Sequence, residues 1–266
     1  MKSRIIILAS LFLMTIACTK VPISNRKQLN LVPESELLSM SLTEYSAFLK
    51  KNPPVPLTDP NAQMVKNVGA RMKTAVETYL RQNGFASRVK DFKWEFNLVN
   101  NKEVNAWCMP GGKVVVYSGL LAVTQDEASL ACVMGHEIAH AVARHGNERM
   151  SQGLMAELGG VALDVALANK SSETRQLFMT AYGAGATVGL ILPYSRLHET
   201  EADKLGLVFM AMAGYDPKTS IGFWERMAKA GGAKPPEILS THPSDQTRIN
   251  NLRAYMPTAL KYYKPA

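Results

Sequence analysis

The sequence predicts an α+β fold, mostly helical, with a small β-sheet beside one buried helix. Three observations carry this. Residues 92–117 hold three short runs rich in β-branched and alternating apolar residues. The chain after Gly119 has helical spacing. Within that helical part, residues 135–140 read Gly-His-Glu-Ile-Ala-His at the end of an apolar run, so a buried helix carries three polar side chains that need a reason to be there.

The elements follow in order. Residues 1–17 open with Met-Lys-Ser-Arg and continue as an apolar run from Ile5 to Ala17, too short to span a membrane comfortably. This reads as a signal peptide. Residues 18–33, with Pro22, Ser24, Asn25 and Pro33, read as a tether, and residues 34–266 as one domain with a sizeable core. Pro33 to Lys50 is helical in pattern, and the Pro-rich stretch from Lys51 to Pro60 breaks it. Asp59-Pro60 caps a second helix, which Asn83-Gly84 ends. Phe92 to Val99, Val104 to Cys108 and Lys113 to Tyr117 are the three strands, and Pro110-Gly111-Gly112 joins the last two as a hairpin. Thr124-Gln-Asp-Glu127 has the form of a capping box opening the next helix. Leu177 to Leu192 is uncharged and contains Gly183, Gly185 and Gly189. It fits a helix buried against its neighbours or, alternatively, a hairpin that brushes a membrane.

On a helix, His136 and His140 lie one turn apart on one face. Two neutral imidazoles so placed can bind one zinc ion, and Glu137, about 100° round the helix, can act as general base toward a water on its open side. A third ligand is expected downstream. Glu199 and Asp203 share a helix face in Ser195-Arg-Leu-His-Glu-Thr-Glu-Ala-Asp-Lys-Leu-Gly206. Glu199 can complete a two-His, one-Glu site, and Asp203 can accept the other ring N–H of a zinc histidine. Ala202 and Gly206 are small enough for close packing on the first helix. Glu201 competes with Glu199 but points about 200° away. It reads as a solvated carboxylate, and His198 as polar surface.

The stretches Tyr117-Ser-Gly-Leu-Leu to His145, Glu199-Thr-Glu-Ala-Asp203 and Ser240-Thr-His-Pro-Ser244 together resemble metallopeptidase family forty-eight, over roughly residues 24–255. The resemblance implies a gluzincin-type fold and zinc endopeptidase activity with one Zn2+ per chain. It also implies ligands at His136, His140 and Glu199, a general base at Glu137 and a supporting acid at Asp203. In similar proteins a histidine in the position of His242 approaches the metal, either stabilising the oxyanion or filling the open position at rest. From the bare sequence His242 is equally a turn residue before a helix start at Pro243. Arg248 can orient that loop or bind substrate carbonyls, or be a surface arginine. Asn105, Ala106 and Trp107 are candidates for a strand edge to which a substrate peptide adds, with Trp107 as core the alternative.

Thr15-Ile-Ala-Cys18 resembles a lipoprotein cleavage site, with Cys18 as the lipidated residue, although Thr15 departs from the usual Leu. Thr19 in place of Asp then implies the periplasmic side of an outer membrane, with an inner-membrane or soluble periplasmic protein as alternatives. Cys108 and Cys132 can pair in an oxidising compartment or stay buried and inert. The formal charge of +8 falls to +6 without Lys2 and Arg4. That modest excess, with no arginine stripe or aromatic platform, excludes a nucleic-acid binder. The expected partners are unfolded or misfolded envelope proteins, the membrane through an N-terminal lipid, and outer-membrane assembly machinery. The rival from another class is an assembly factor or chaperone with a structural or gated zinc.

Overall fold

The computed structural model describes residues 18–158, 172–182, 196–230, 238, 242 and 246–265. The leader at 1–17, the run from Gly183 to Leu192 and the turn at Pro243-Ser244 lie outside them. The described chain is mostly helical, as the sequence predicts, and carries two small sheets, of which the sequence predicts only the second. Strands β1 (Cys18–Lys20) and β2 (Lys27–Leu29) pair antiparallel. Helices α1 (Glu34–Lys51) and α2 (Pro60–Gln82) follow. Asp59 caps α2 by accepting from the backbone N–H groups of Asn61 and Ala62.

The second sheet holds β3 (Glu95–Val99), β4 (Ala106–Met109) and β5 (Lys113–Tyr117) in the order β3-β5-β4. β4 and β5 form the expected hairpin, with Gly111 and Gly112 at φ +82° and +75° in its turn. Positive φ at two of the three loop residues favours glycine there. β3 pairs with β5 in parallel, so β5 is central. Both faces of β5 are covered. Val114 and Val116 face the larger core with α2 and the helices beyond, whereas Val115 and Tyr117 face a smaller core with α1. That explains the unbroken Val-Val-Val run, since a strand buried on both faces has no polar side.

After β5 come α3 (Ser118–Thr124), α4 (Glu127–Ala143), α5 (His145–Leu158), α6 (Ser172–Ala181), α7 (Arg196–Met212), α8 (Thr219–Ala230) and α9 (Gln246–Ala259). Among the described residues no helix is long and apolar enough to cross a membrane. The cap of α4 differs from the capping box expected at Thr124. Thr124 ends α3, Gln125 turns the chain at φ 65°, and Asp126 caps α4 by accepting from Ser129 N–H. The left-handed turn at Gln125 separates two helices where the sequence pattern suggested one start.

Residues 18–29 also differ from a loose tether. They form a hairpin whose Val21 is fully buried and whose Gln28 side chain donates to the carbonyl of Arg144. Cys108 and Cys132 are free thiols, both buried, which is the second of the two alternatives the sequence left open, and burial raises both pKa values.

Candidate metal centre

α4 is enclosed along nearly all of its length. Every residue from Ser129 to Ala143 is buried, because α4 is covered by α7, β4, α2 and α8. The approach of α7 depends on two glycines. A Cβ on Gly206 would sit 3.0 Å from the backbone nitrogen of His136, and one on Gly135 would sit 3.1 Å from the carbonyl oxygen of Gly206. Backbone therefore meets backbone where the helices cross. Ala202, also fully buried, lies one turn earlier on α7.

That contact brings together the side chains the sequence singled out. Nε2 of His136 lies 3.1 Å from Nε2 of His140 and 3.2 Å from Nδ1 of His242. Glu199 Oε1 lies 2.8 Å from His242 Nδ1 and 3.3 Å from His140 Nε2, and Glu199 Oε2 lies 3.4 Å from His136 Nε2. One donor atom from each of His136, His140, Glu199 and His242 fits within 4.8 Å, and all four residues are buried. Among the described residues Glu137 Oε1 is buried with no hydrogen-bond partner, and His242 Nε2 is 3.7 Å away.

This set fits a metal ion. Three imidazoles point nitrogens at each other, and a single proton can satisfy only one such contact at a time. A cation at their common focus satisfies all of them. Two histidines with a carboxylate are the donor chemistry of a zinc site. The electrostatics agree. Burial holds His140 well below its usual pKa, so it is neutral as a ligand must be. Burial would raise Glu199, but His242, His136 and Arg248 outweigh it and keep it ionised. Burial raises Glu137, which brings a carboxylate toward the range useful for proton transfer. Burial and Arg248 would lower His136, but Glu199 and Asp203 push it up to about 9 when no cation balances them.

Asp203 stands where an orienting acid should. Its Oδ1 is 2.9 Å from His136 Nδ1, which leaves Nε2 to face the focus. Arg248 is buried, neither surface nor free to bind substrate. Its Nε and Nη2 donate to both oxygens of Asp203 at 2.8 and 2.7 Å, and its Nη1 donates to the carbonyl of His242. Its guanidinium also stacks 3.6 Å over the ring of Trp224. Of the roles the sequence offered, its contact with the His242 carbonyl is the geometry the loop-orienting one requires. His242 joins the metal-facing group rather than serving only as a turn residue.

Among the strand-edge candidates, Trp107 is core. It packs edge-on against Phe48 and Tyr45, and Ala106 is buried in the larger core. Asn105 turns its side-chain oxygen to the N–H of Ala106. Two readings of α7 are overturned. Glu201 is buried and ion-paired with Arg26, not solvated, and His198 is buried with Nε2 3.0 Å from Glu148. Sequence reasoning also missed His145, whose Nδ1 lies 3.0 Å from His140 Nδ1. Its place five residues beyond His140 was the available signal.

The comparisons with known proteins agree with this geometry. The profile of Peptidase family M48 matches residues 68–256. A Mitochondrial metalloendopeptidase OMA1 of Schizosaccharomyces pombe is 35% identical over 90% of this chain and 66% of its own length. The human Metalloendopeptidase OMA1, mitochondrial, is 30% identical over 90% of the chain and 46% of its own length. A Beta-barrel assembly-enhancing protease of Yersinia pestis is 34% identical over 60% of the chain and 34% of its own length. The chain thus spans about two thirds of the yeast relative and half or less of the other two. The location expected from the leader, an outer-membrane lipoprotein anchored at Cys18, does not stand, because the relatives that match nine-tenths of this chain are named as mitochondrial. The short apolar leader misled because a charged start and a brief apolar run do not by themselves name a compartment. The family match spans most of the sequence and includes the helices that carry the buried donor group, and this chain belongs to peptidase family M48, a family of metalloendopeptidases.

Proposed function

We propose that the chain is a zinc-dependent endopeptidase acting on extended stretches of unfolded or unassembled proteins, with His136, His140 and Glu199 holding the ion. The convergence of these donors beside the unpartnered oxygen of Glu137 carries the reading. A zinc ion held there would supply Lewis acidity, polarising the scissile carbonyl and acidifying water. Glu137 takes the proton of the attacking water and returns it to the leaving nitrogen. Asp203 fixes the ring of His136, and Arg248 fixes Asp203. His242, with Nε2 on the Glu137 side, is placed to donate to the developing oxyanion. β4 is an outer strand of its sheet, and with Ala106 and Trp107 in the core its main chain is what would read a peptide. The relative named for assembly of β-barrels supports unassembled proteins as substrates.

One observation favours a second reading. His242 supplies a fourth protein donor, and structural zinc sites are closed by four. The chain would then be an assembly factor with a gated site. The test is digestion of casein by the full chain, by Glu137→Gln and by a chelated sample. Loss of about 10²–10⁴ in rate with zinc content unchanged is expected for Glu137→Gln. Full activity in that variant refutes the role. If the wild type holds zinc without cleaving, cleavage gained by His242→Ala identifies a gate.

A further inference from the structure

Behind His140, on the side away from the metal focus, lies a chain of buried and part-buried polar contacts that the proposed mechanism leaves unused. His140 Nδ1 meets His145 Nδ1 at 3.0 Å, and His145 Nε2 meets Glu201 Oε2 at 3.0 Å. Glu201 in turn accepts from three donors on the N-terminal hairpin. Ser24 Oγ lies 2.5 Å from Oε1, Arg26 Nε 3.1 Å from Oε1, and Arg26 Nη2 3.0 Å from Oε2. Arg26 also forms a two-pronged pair with Glu148, at 2.7 and 2.8 Å, and Glu148 holds His198, whose ring stacks on His145 at 4.5 Å. The hairpin reaches this place through an unfavourable turn. Ile23 and Asn25 both have positive φ, at 72° and 54°, and a β-branched residue such as Ile23 rarely adopts that conformation. Strain of this kind persists where surrounding contacts hold it.

We propose that the N-terminal hairpin is a working part of the metal centre, with Arg26, Ser24, Glu201 and His145 acting as positioning residues for His140. This rests on the reading that His140 binds zinc through Nε2. The direction of every hydrogen bond then follows. Nδ1–H of His140 donates to Nδ1 of His145, and Nε2–H of His145 donates to Glu201, whose charge Arg26 balances. A carboxylate two residues from a ligand, on the other face of α7, thus orients a histidine ligand on α4. Asp203 does the same for His136 from the near face. Each histidine ligand on α4 has its own acid behind it, one direct and one through His145.

The test uses the full chain and zinc affinity measured by competition with a chelating dye, a readout separate from activity. His145→Ala and Glu201→Gln should each weaken zinc binding about 10–100-fold, as loss of such supporting contacts does elsewhere. Arg26→Met should weaken it less, and Arg26→Lys should recover part of the loss. Arg253→Met, which breaks the exposed pair with Glu225, is the control and should leave affinity unchanged. Variants that fold like wild type and bind zinc equally tightly would overturn the proposal. A measurement without substitution guards against misfolded variants. Nitrogen-15 spectra of the zinc-loaded wild type should show His145 with its proton on Nε2, and a proton on Nδ1 overturns the arrangement. A wild type that takes up no zinc would overturn the metal reading itself, which is a different outcome from unchanged affinity in the variants.

Discussion

Helix α7 buries acids on two sides, and the two sides differ in how their charge is balanced. Toward α4, Glu199 faces three imidazole nitrogens that also face each other, so donors and acceptors do not match until a cation is added. Away from it, Glu201 faces Ser24, Arg26 and His145, and each donor meets an acceptor. Glu199 and Glu201 are both buried. Burial of charge therefore does not mark a metal site; converging lone pairs left over after pairing do.

Three changes break or sharpen this contrast. The largest effect is expected from Arg248→Met. It strands Asp203 and Glu199 as buried carboxylates, and removing one partner of a buried pair costs about 3–5 kcal/mol. Thermal melting of the metal-free chain should show a large fall in Tm, partly restored by zinc. A Tm equal to wild type would mean that the arginine does not hold the acids.

Gly206→Ala should act more weakly. Alanine favours the helix by about 1 kcal/mol, but its Cβ meets the backbone of His136, and overpacking costs about 1–3 kcal/mol. Net destabilisation with weaker zinc binding is expected from urea titrations and dye competition, and a stabilised variant would show that the helices can separate freely.

The smallest effect is one of pH on the paired side. Burial would raise Glu148, but its bonds to Arg26 and His198 outweigh that and hold it at about 2, below its ordinary 4.5. A lowered folded pKa means the unfolded chain takes up the proton first. The stabilisation is complete above about 4.5 and is lost as pH falls toward 2. The urea midpoint of wild type should drop across that window, and Glu148→Gln should flatten the drop. An equal drop in both would remove Glu148 as its source.

Much of the metal-facing side could be read from the chain because it is local. His136, Glu137 and His140 sit within one turn, as do Glu199 and Asp203, so helical geometry alone groups them. The cap of α2 and the β4–β5 hairpin are local too. The paired side was invisible for the opposite reason. Glu201 and Arg26 are 175 residues apart, and a helical wheel of α7 taken alone assigns Glu201 and His198 to solvent. The docked hairpin and α5 cover them, through Ser24 and Arg26 on one and His145 and Glu148 on the other. The parallel pairing of β3 with β5 was hidden likewise, since alternation sets a strand but not its neighbour. The cap at Thr124 failed because the left-handed Gln125 inserts a helix end that no periodicity announces.

The touching backbones of Gly135 and Gly206 have a mechanical consequence. With no side chain between them, the two helices have no compressible layer to squeeze or stretch, and the spacing of His136, His140 and Glu199 is set by main-chain radii. Neither a substrate nor a change of ion can retune that gap by moving a rotamer. Any adjustment of coordination number falls to His242, the one donor that neither helix carries.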